Sequence, residues 1–257
     1  MGILLEGIHV GYTQAPRKTI LYGGHGIGKS TFAAGAPGTI FMDIEGGLSR
    51  IDCHSLPRIH DYKSCIESLR ELYQEDHPYK TLAIDTLDVL ETLVWAHVCS
   101  QNHVKTIDII DWGKGYAIAS DYWVVILKWL DALVAHREME IILLAHLRVE
   151  RLELPGVEAY DRYVPRLHRK ALALFTEWAD EVLFANRKIY TKEVKNGFDE
   201  KKSRALPVGI GDRMIYTSFD PSHEAKNRLG LPIEIPLDWA LYQQARDDIL
   251  KPQEKLP

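Results

Sequence analysis

Eight consecutive residues have the types and spacing to hold a phosphate: Gly23-Gly24-His25-Gly26-Ile27-Gly28-Lys29-Ser30. They fit G-x-x-x-x-G-K-[ST]. The glycines let backbone N–H groups turn inward around an anion. A helix opening at Lys29 would aim its positive end at the same charge. Lys29 brings an ammonium to the β- and γ-phosphates, and the Ser30 hydroxyl offers a ligand to Mg²⁺. Gly23 to Thr31 is therefore the expected nucleotide-binding segment, with ATP and Mg²⁺ as cofactors. Average residue usage produces this pattern by chance in roughly one chain per hundred of this length. With an apolar strand before it and a helix after it, a glycine-rich turn without a ligand is the weaker reading.

The remaining chemistry sits at the ends of other apolar runs. Thr81-Leu-Ala-Ile-Asp85 ends in a carboxylate that can hold magnesium beside Ser30. The plainer reading of Asp85 is a cap for the helix starting near Leu87, a role open to Thr86 as well. Hydrolysis also needs a group to orient or deprotonate water. Many ATPases with this loop place a Glu directly after the magnesium Asp, but here that position is Thr86. A Glu stands instead at Ile40-Phe-Met-Asp43-Ile-Glu45, although Gly46-Gly47 marks a turn there in any case. Glu140-Ile-Ile-Leu-Leu-Ala145 ends at His146. A polar residue at such a tip can sense the γ-phosphate; a hydrogen-bonded histidine at a strand end is the ordinary alternative.

These residues need an alternating α/β chain to bring them together. Strands are expected over 19–22, 39–42, 81–84 and 140–145. Helices are expected from Lys29 to about Gly35, over 65–74 with Ser64 as N-cap, over 87–100 and over 117–136. Residues 101–116 read as a loop with Trp112, Lys114 and Tyr116. Residues 147–165 read as a long polar loop. A helix over 166–180, a strand over 181–191, and strands near 213–218 and 225–228 follow. Asn196-Gly197 is a hairpin signal, and 238–250 reads as a last helix. The fold class is α/β with a mainly parallel sheet flanked by helices and a β-rich C-terminal part. One domain is expected over 1–257: a short segment to residue 18, a core over 19–191, a β-rich extension over 192–239, and a helix and tail over 240–257.

Composition narrows the function classes. The 257 residues are 46% hydrophobic and 26% charged, which is globular usage and excludes a mostly disordered chain. No apolar run approaches the ~18 residues that span a bilayer, and no signal peptide opens the chain. A cytoplasmic protein with no membrane partner is expected. The net charge of −5 excludes a uniformly basic nucleic-acid binder but allows local basic strips. Residues 187–204 carry seven Lys/Arg against three acids. Cys53, Cys65 and Cys99 form neither a disulfide framework nor a common zinc spacing.

Together these pieces resemble the RecA/RadA-type recombinase core. The match is closer to a phage-encoded group of small RecA-like ATPases implicated in single-strand annealing. The stretches that carry it are YGGHGIGKSTFAAGAP, FMDIEGG, TLAIDTLD, IILLAH, YDRYVPRLHRKA, EWADEVLFAN and AKNRLGLP, spread over residues 19–239. The resemblance implies a RecA-like P-loop NTPase fold, with Glu45 as the catalytic carboxylate and His146 at the position that couples ATP to DNA. The family commonly has Gln where this chain has His146. Lys226 and Arg228 match a late basic element that reaches a neighbouring subunit's ATP. Single-stranded DNA would meet two regions: one with Trp112, Lys114 and Tyr116, the other with Arg148, Arg151, Arg162 and Arg166. The resemblance further implies a homo-oligomer, ring or DNA-induced, in a bacterial host cell, with a single-strand-binding or replication protein as possible partner. Only about 18 residues precede the first strand, where recombinases carry a filament-assembly arm, so a filament is not expected. Two rival functions use the same core: a helicase motor or loader, and a nucleotide switch that binds proteins without DNA. A small-molecule kinase would need a lid with paired arginines, and none is evident.

Overall fold

The computed structural model describes residues 16–195 and 203–250; the side chains of Trp112 and of residues 189–210 lie outside that description. Among the described residues the sheet has ten strands. Six run parallel in the order β3-β2-β4-β5-β1-β7: β1 (Lys18–Gly23), β2 (Thr39–Asp43), β3 (His54–Ser55), β4 (Thr81–Asp85), β5 (Glu140–Leu152) and β7 (Glu181–Lys195). β8 (Ser203–Tyr216) and β10 (Glu234–Pro236) extend the sheet antiparallel beyond β7. The short β9 (Lys226–Asn227) pairs with the start of β7, and β6 (Tyr160–Pro165) with the far half of β5. The β-rich C-terminal part is thus one continuous sheet with the core.

Buried parallel strands are apolar on both faces, and the alternation here separates two cores. Ile20, Tyr22, Met42, Ile84, Leu143 and Phe184 face one layer of helices: α2 (Tyr62–Gln74), α3 (Leu87–Gln101), α4 (Lys114–Arg137) and α5 (Arg169–Trp178). Leu21, Phe41, Ala83, Leu144, Leu183 and Ile215 face α1 (Lys29–Ala34) and α6 (Trp239–Leu250). Among the described residues no helix is long and apolar enough to cross a membrane.

The differences from the sequence expectations have local causes. Helix α2 starts three residues early, because Asp61 is the N-cap. It accepts from Ser64 N at 2.7 Å, and Ser64 Oγ accepts from Asp61 N at 3.3 Å, a reciprocal capping box. Residues 101–116 are less of a loop than expected. α3 runs to Gln101, α4 opens at Lys114, and 3₁₀ turns fill 107–109 and 111–113. The largest change is at 147–165. β5 runs through Ala145 to Leu152 and turns back as β6, with Leu147 opposite Pro165 and Leu152 opposite Tyr160. A two-stranded ribbon satisfies its own backbone by cross-strand bonds, so it needs no apolar periodicity to persist. β7 and β8 pair from Phe184↔Tyr216 to Lys195↔Ser203, as a hairpin should; the expected turn at Asn196-Gly197 lies outside the described residues.

Candidate nucleotide site

The carboxyl ends of β1, β2, β4 and β5 meet at one edge of the sheet, where ligands of open α/β sheets bind. Strand order decides which side chains meet. β5 lies between β1 and β4, so His146 stands beside Gly23 in register, and Asp43 beside Asp85. A cleft of about 310 Å³ opens there, lined by His25, Gly26, Gly28, Lys29, Ser30, Thr31, Glu45, Asp85, His146 and Arg213, with Gly47 and Ile51 at its rim. A larger groove of about 580 Å³ lies between β10 and α6, but among the described residues no cation lines it. Phosphate chemistry belongs to the smaller, polar cleft.

Gly23 is glycine because β7 passes too close for a side chain: a Cβ there would sit 2.3 Å from the Ala185 carbonyl oxygen. Gly28, at φ 113°, turns the loop into α1 through backbone that other residues rarely adopt. Gly24, His25, Gly26 and Ile27 form the intervening turn, with Ile27 N donating to the Gly24 carbonyl. α1 has only six residues, so loop amides and the Lys29 ammonium contribute more here than a helix dipole.

Lys29 is buried and donates to the carbonyls of Gly23 (3.2 Å) and Gly24 (3.0 Å). Burial lowers its proton affinity, against the pull of Asp85, Glu45 and Asp88. Ser30 Oγ donates to Asp85 Oδ2 at 2.6 Å. Burial raises the Asp85 pKa, and the Ser30 bond only partly offsets this. A hydroxyl and a carboxylate touching across the cleft floor are the hard oxygen donors that Mg²⁺ takes, so these residues fit the ion. Thr86 is 1% exposed, so the residue after Asp85 does not reach the cleft.

Glu45 lines the cleft from the neighbouring strand tip. The backbone after β2 is pinned: Ile44 N and Glu45 N both donate to the Asp85 carbonyl, and Gly46 N donates to Asp43 Oδ1 at 2.6 Å. Glu45 Oε1 then lies 3.8 Å from His146 Nε2. The His146 ring stacks on His25, centroids 3.7 Å apart. The nearby His146 ring, with burial, lowers the proton affinity of His25. His25, Glu45 and His146 bring ligand-type atoms within 4.8 Å of one another.

Sequence reasoning missed Asp88. Its buried carboxylate accepts from His146 N (3.0 Å), lies 3.0 Å from His146 Nδ1, and accepts from Arg166 Nε (3.0 Å) and Nη2. Burial alone would raise its pKa; the bonds from His146 and Arg166 outweigh it and hold the carboxyl well below the ordinary range. An ionised carboxylate only accepts, so His146 carries its proton on Nδ1 when neutral and turns the Nε2 lone pair toward Glu45. Asp88 reads in sequence only as an acid in a helix's first turn. Arg213, from β8, was missed too: Nη1 donates to the Ile27 carbonyl at 3.3 Å.

Arg166, expected to meet DNA, is tied to Asp88 at the base of the ribbon. The other ribbon arginines are also paired with acids. Arg148 (2.9 Å) and Arg162 (3.2 Å) both bind Glu150, Arg162 also binds Glu224 (2.8 Å), and Arg151 meets Asp161 at 3.5 Å. Lys114 is exposed at the start of α4. The Tyr116 ring already stacks on His168, 4.0 Å away, and its hydroxyl donates to Asp108. The Trp112 side chain lies outside the described residues.

Lys226 and Arg228 lie at the start of β7, the opposite edge of the sheet from their own cleft. Lys226 Nζ donates to the carbonyls of Thr176, Glu177 and Ala179, closing the C-terminus of α5. Arg228 is about half exposed and pairs with Asp180 at 3.2 Å. Between them, Asn227 Oδ1 accepts from the N–H groups of Leu229, Gly230 and Leu231. The K-N-R stretch thus builds a turn and a helix cap, with Lys226 bound within the chain and Arg228 about half exposed beside Asp180.

No curated protein matches the chain. A family model, described as an AAA domain, matches residues 15–229, most of the sequence and the whole of the cleft apart from what α6 supports. With a phosphate loop set on a mostly parallel sheet between helices, the chain belongs to this AAA-domain family of nucleotide-binding P-loop ATPases.

Proposed function

We propose that the protein is a Mg²⁺-dependent, RecA-like ATPase that acts on single-stranded DNA in phage recombination, annealing or replication. One observation carries the ATPase half: Lys29, Ser30, Asp85, Glu45 and His146 line a single cleft. Loop amides and Lys29 hold the β- and γ-phosphates. Ser30 and Asp85 would hold Mg²⁺, which would supply charge neutralisation at the phosphate oxygens. Glu45 takes the proton of the attacking water. Neutral His146, with its Nδ1 proton directed to Asp88, presents an acceptor at Nε2, and a water seated beside both groups donates to each.

The DNA half rests on the resemblance and on connectivity. The strand that ends the cleft at His146 continues as the ribbon, and Arg166 ties that ribbon to Asp88 behind His146. A γ-phosphate that repositions His146 acts on the ribbon through these bonds, provided its contacts differ between the two states. Arg228, exposed on the far edge, is the cation available to an adjoining subunit in a homo-oligomer.

A second reading is favoured by the ribbon's internal ion pairs and its exposed Val149, Leu154 and Val157: a nucleotide switch that docks protein. Steady-state ATP hydrolysis with and without a single-stranded oligonucleotide separates the two, with Lys29→Ala as blank. Stimulation that falls with salt supports the DNA-dependent ATPase; indifference to DNA moves the assignment to the switch. Glu45→Gln is expected to keep ATP binding and lower kcat by about 10²–10⁴-fold. An unchanged kcat removes Glu45 from the mechanism.

A further inference from the structure

Arg213 and Arg187 occupy directly opposed positions on β8 and β7, so they share a face of the sheet. That face also carries Leu183, Ala185 and Ile215 against α1. Like charges in directly opposed positions repel, and among the described residues no carboxylate lies within 4.0 Å of either guanidinium. Arg213 nevertheless turns onto the phosphate loop. Nη1 donates to the Ile27 carbonyl, and the guanidinium lies 2.9 Å from where a Gly28 Cβ would stand. The absence of a side chain at Gly28 is what lets the arginine approach the loop.

Its side of the loop identifies the ligand atoms. Glu45, Asp85 and His146 come from strands on the β5 side of β1, and they mark the γ-phosphate end. β8 lies on the β7 side, and Arg213 lines the same cleft from there. We propose that Arg213 is a nucleotide-binding residue supplied in cis, contacting the α-phosphate end of the bound nucleotide. This rests on the ATPase reading above and goes beyond it. Arg213 strengthens binding of ATP and ADP alike, and it reports nothing about hydrolysis.

The test is calorimetric titration of the full chain with ADP and with a non-hydrolysable ATP analogue. Arg213→Ala is expected to weaken both by a similar factor, roughly 10- to 100-fold, as for loss of a charged hydrogen bond. Arg213→Lys, which keeps the charge but loses the planar fork, should fall between. Should Arg213→Ala melt early, the lysine variant carries the comparison. Unchanged affinity for both nucleotides, or weakening of the ATP analogue alone, overturns the proposal. Lys29→Ala separates the two levels. Wild type that binds neither nucleotide sinks the ATPase reading itself. Wild type that binds, with Lys29→Ala silent and Arg213→Ala unaltered, sinks only the role of Arg213.

Discussion

The phosphate loop and the β5–β6 ribbon both gather cations, but they treat them oppositely. At the loop, Lys29 and Arg213 bond only to carbonyl oxygens, and both line the open cleft. On the ribbon, Arg148, Arg151, Arg162 and Arg166 each have a carboxylate partner. A carbonyl neutralises no charge, so these two cations keep theirs for an incoming anion, although Asp85 and Glu45 of the same cleft pull on Lys29. The ribbon has largely cancelled its own. Counting basic residues would rank the ribbon as the stronger anion site; their partners reverse that ranking.

The most damaging test removes the loop's charge. Lys29→Ala should weaken ATP binding by about a hundredfold or more, measured by titration, and abolish turnover. Normal turnover would end the comparison, because the loop would then not be the anion site. Next comes the joint between the two regions. Asp88→Asn leaves one oxygen for donors from His146 and Arg166. It should cost about 3 kcal/mol, a Tm lower by roughly 6–12 °C. The folded-state pKa of Asp88 is depressed, so its contribution is complete above the unfolded value near 3.9 and is lost as pH falls through the folded one. The Tm gap should therefore stand at pH 7 and begin to close below about pH 4. A gap that widens in acid would mean that Asp88 is not held ionised.

The smallest effect sharpens the contrast on the ribbon. Glu150→Gln releases Arg148 from its acid and leaves Arg162 with Glu224 alone. Single-strand affinity should rise a few-fold, and the log–log salt slope should steepen by about 0.7 for each arginine recruited to a phosphate. No change in either would place the ribbon away from DNA and favour the protein-docking reading.

Local chemistry was legible along the chain. The phosphate loop, the apolar strands and the polar residues Asp85, Glu45 and His146 at their tips each follow from types within a few residues of one another. Helix ends were less so: Asp61 outcompetes Ser64 as cap because the box uses both side chains, and a sequence shows only that both can cap. The 147–165 segment misled because a ribbon stabilised by cross-strand bonds has no helical or core-facing period to read.

What the sequence alone determined is the presence of a phosphate loop on an α/β chain, and the donor groups that surround it. The tertiary structure decided which cations remain open to a ligand. His146 meets Asp88 across 58 residues, Arg166 meets Asp88 across 78, and Arg213 reaches Ile27 across 186. Lys226, which reads as a cation for a neighbour, closes a helix 50 residues earlier. Charge is a property of a residue and can be counted along the chain. Its neutralisation depends on distance, and distances across such separations exist only once strand order has closed the sheet.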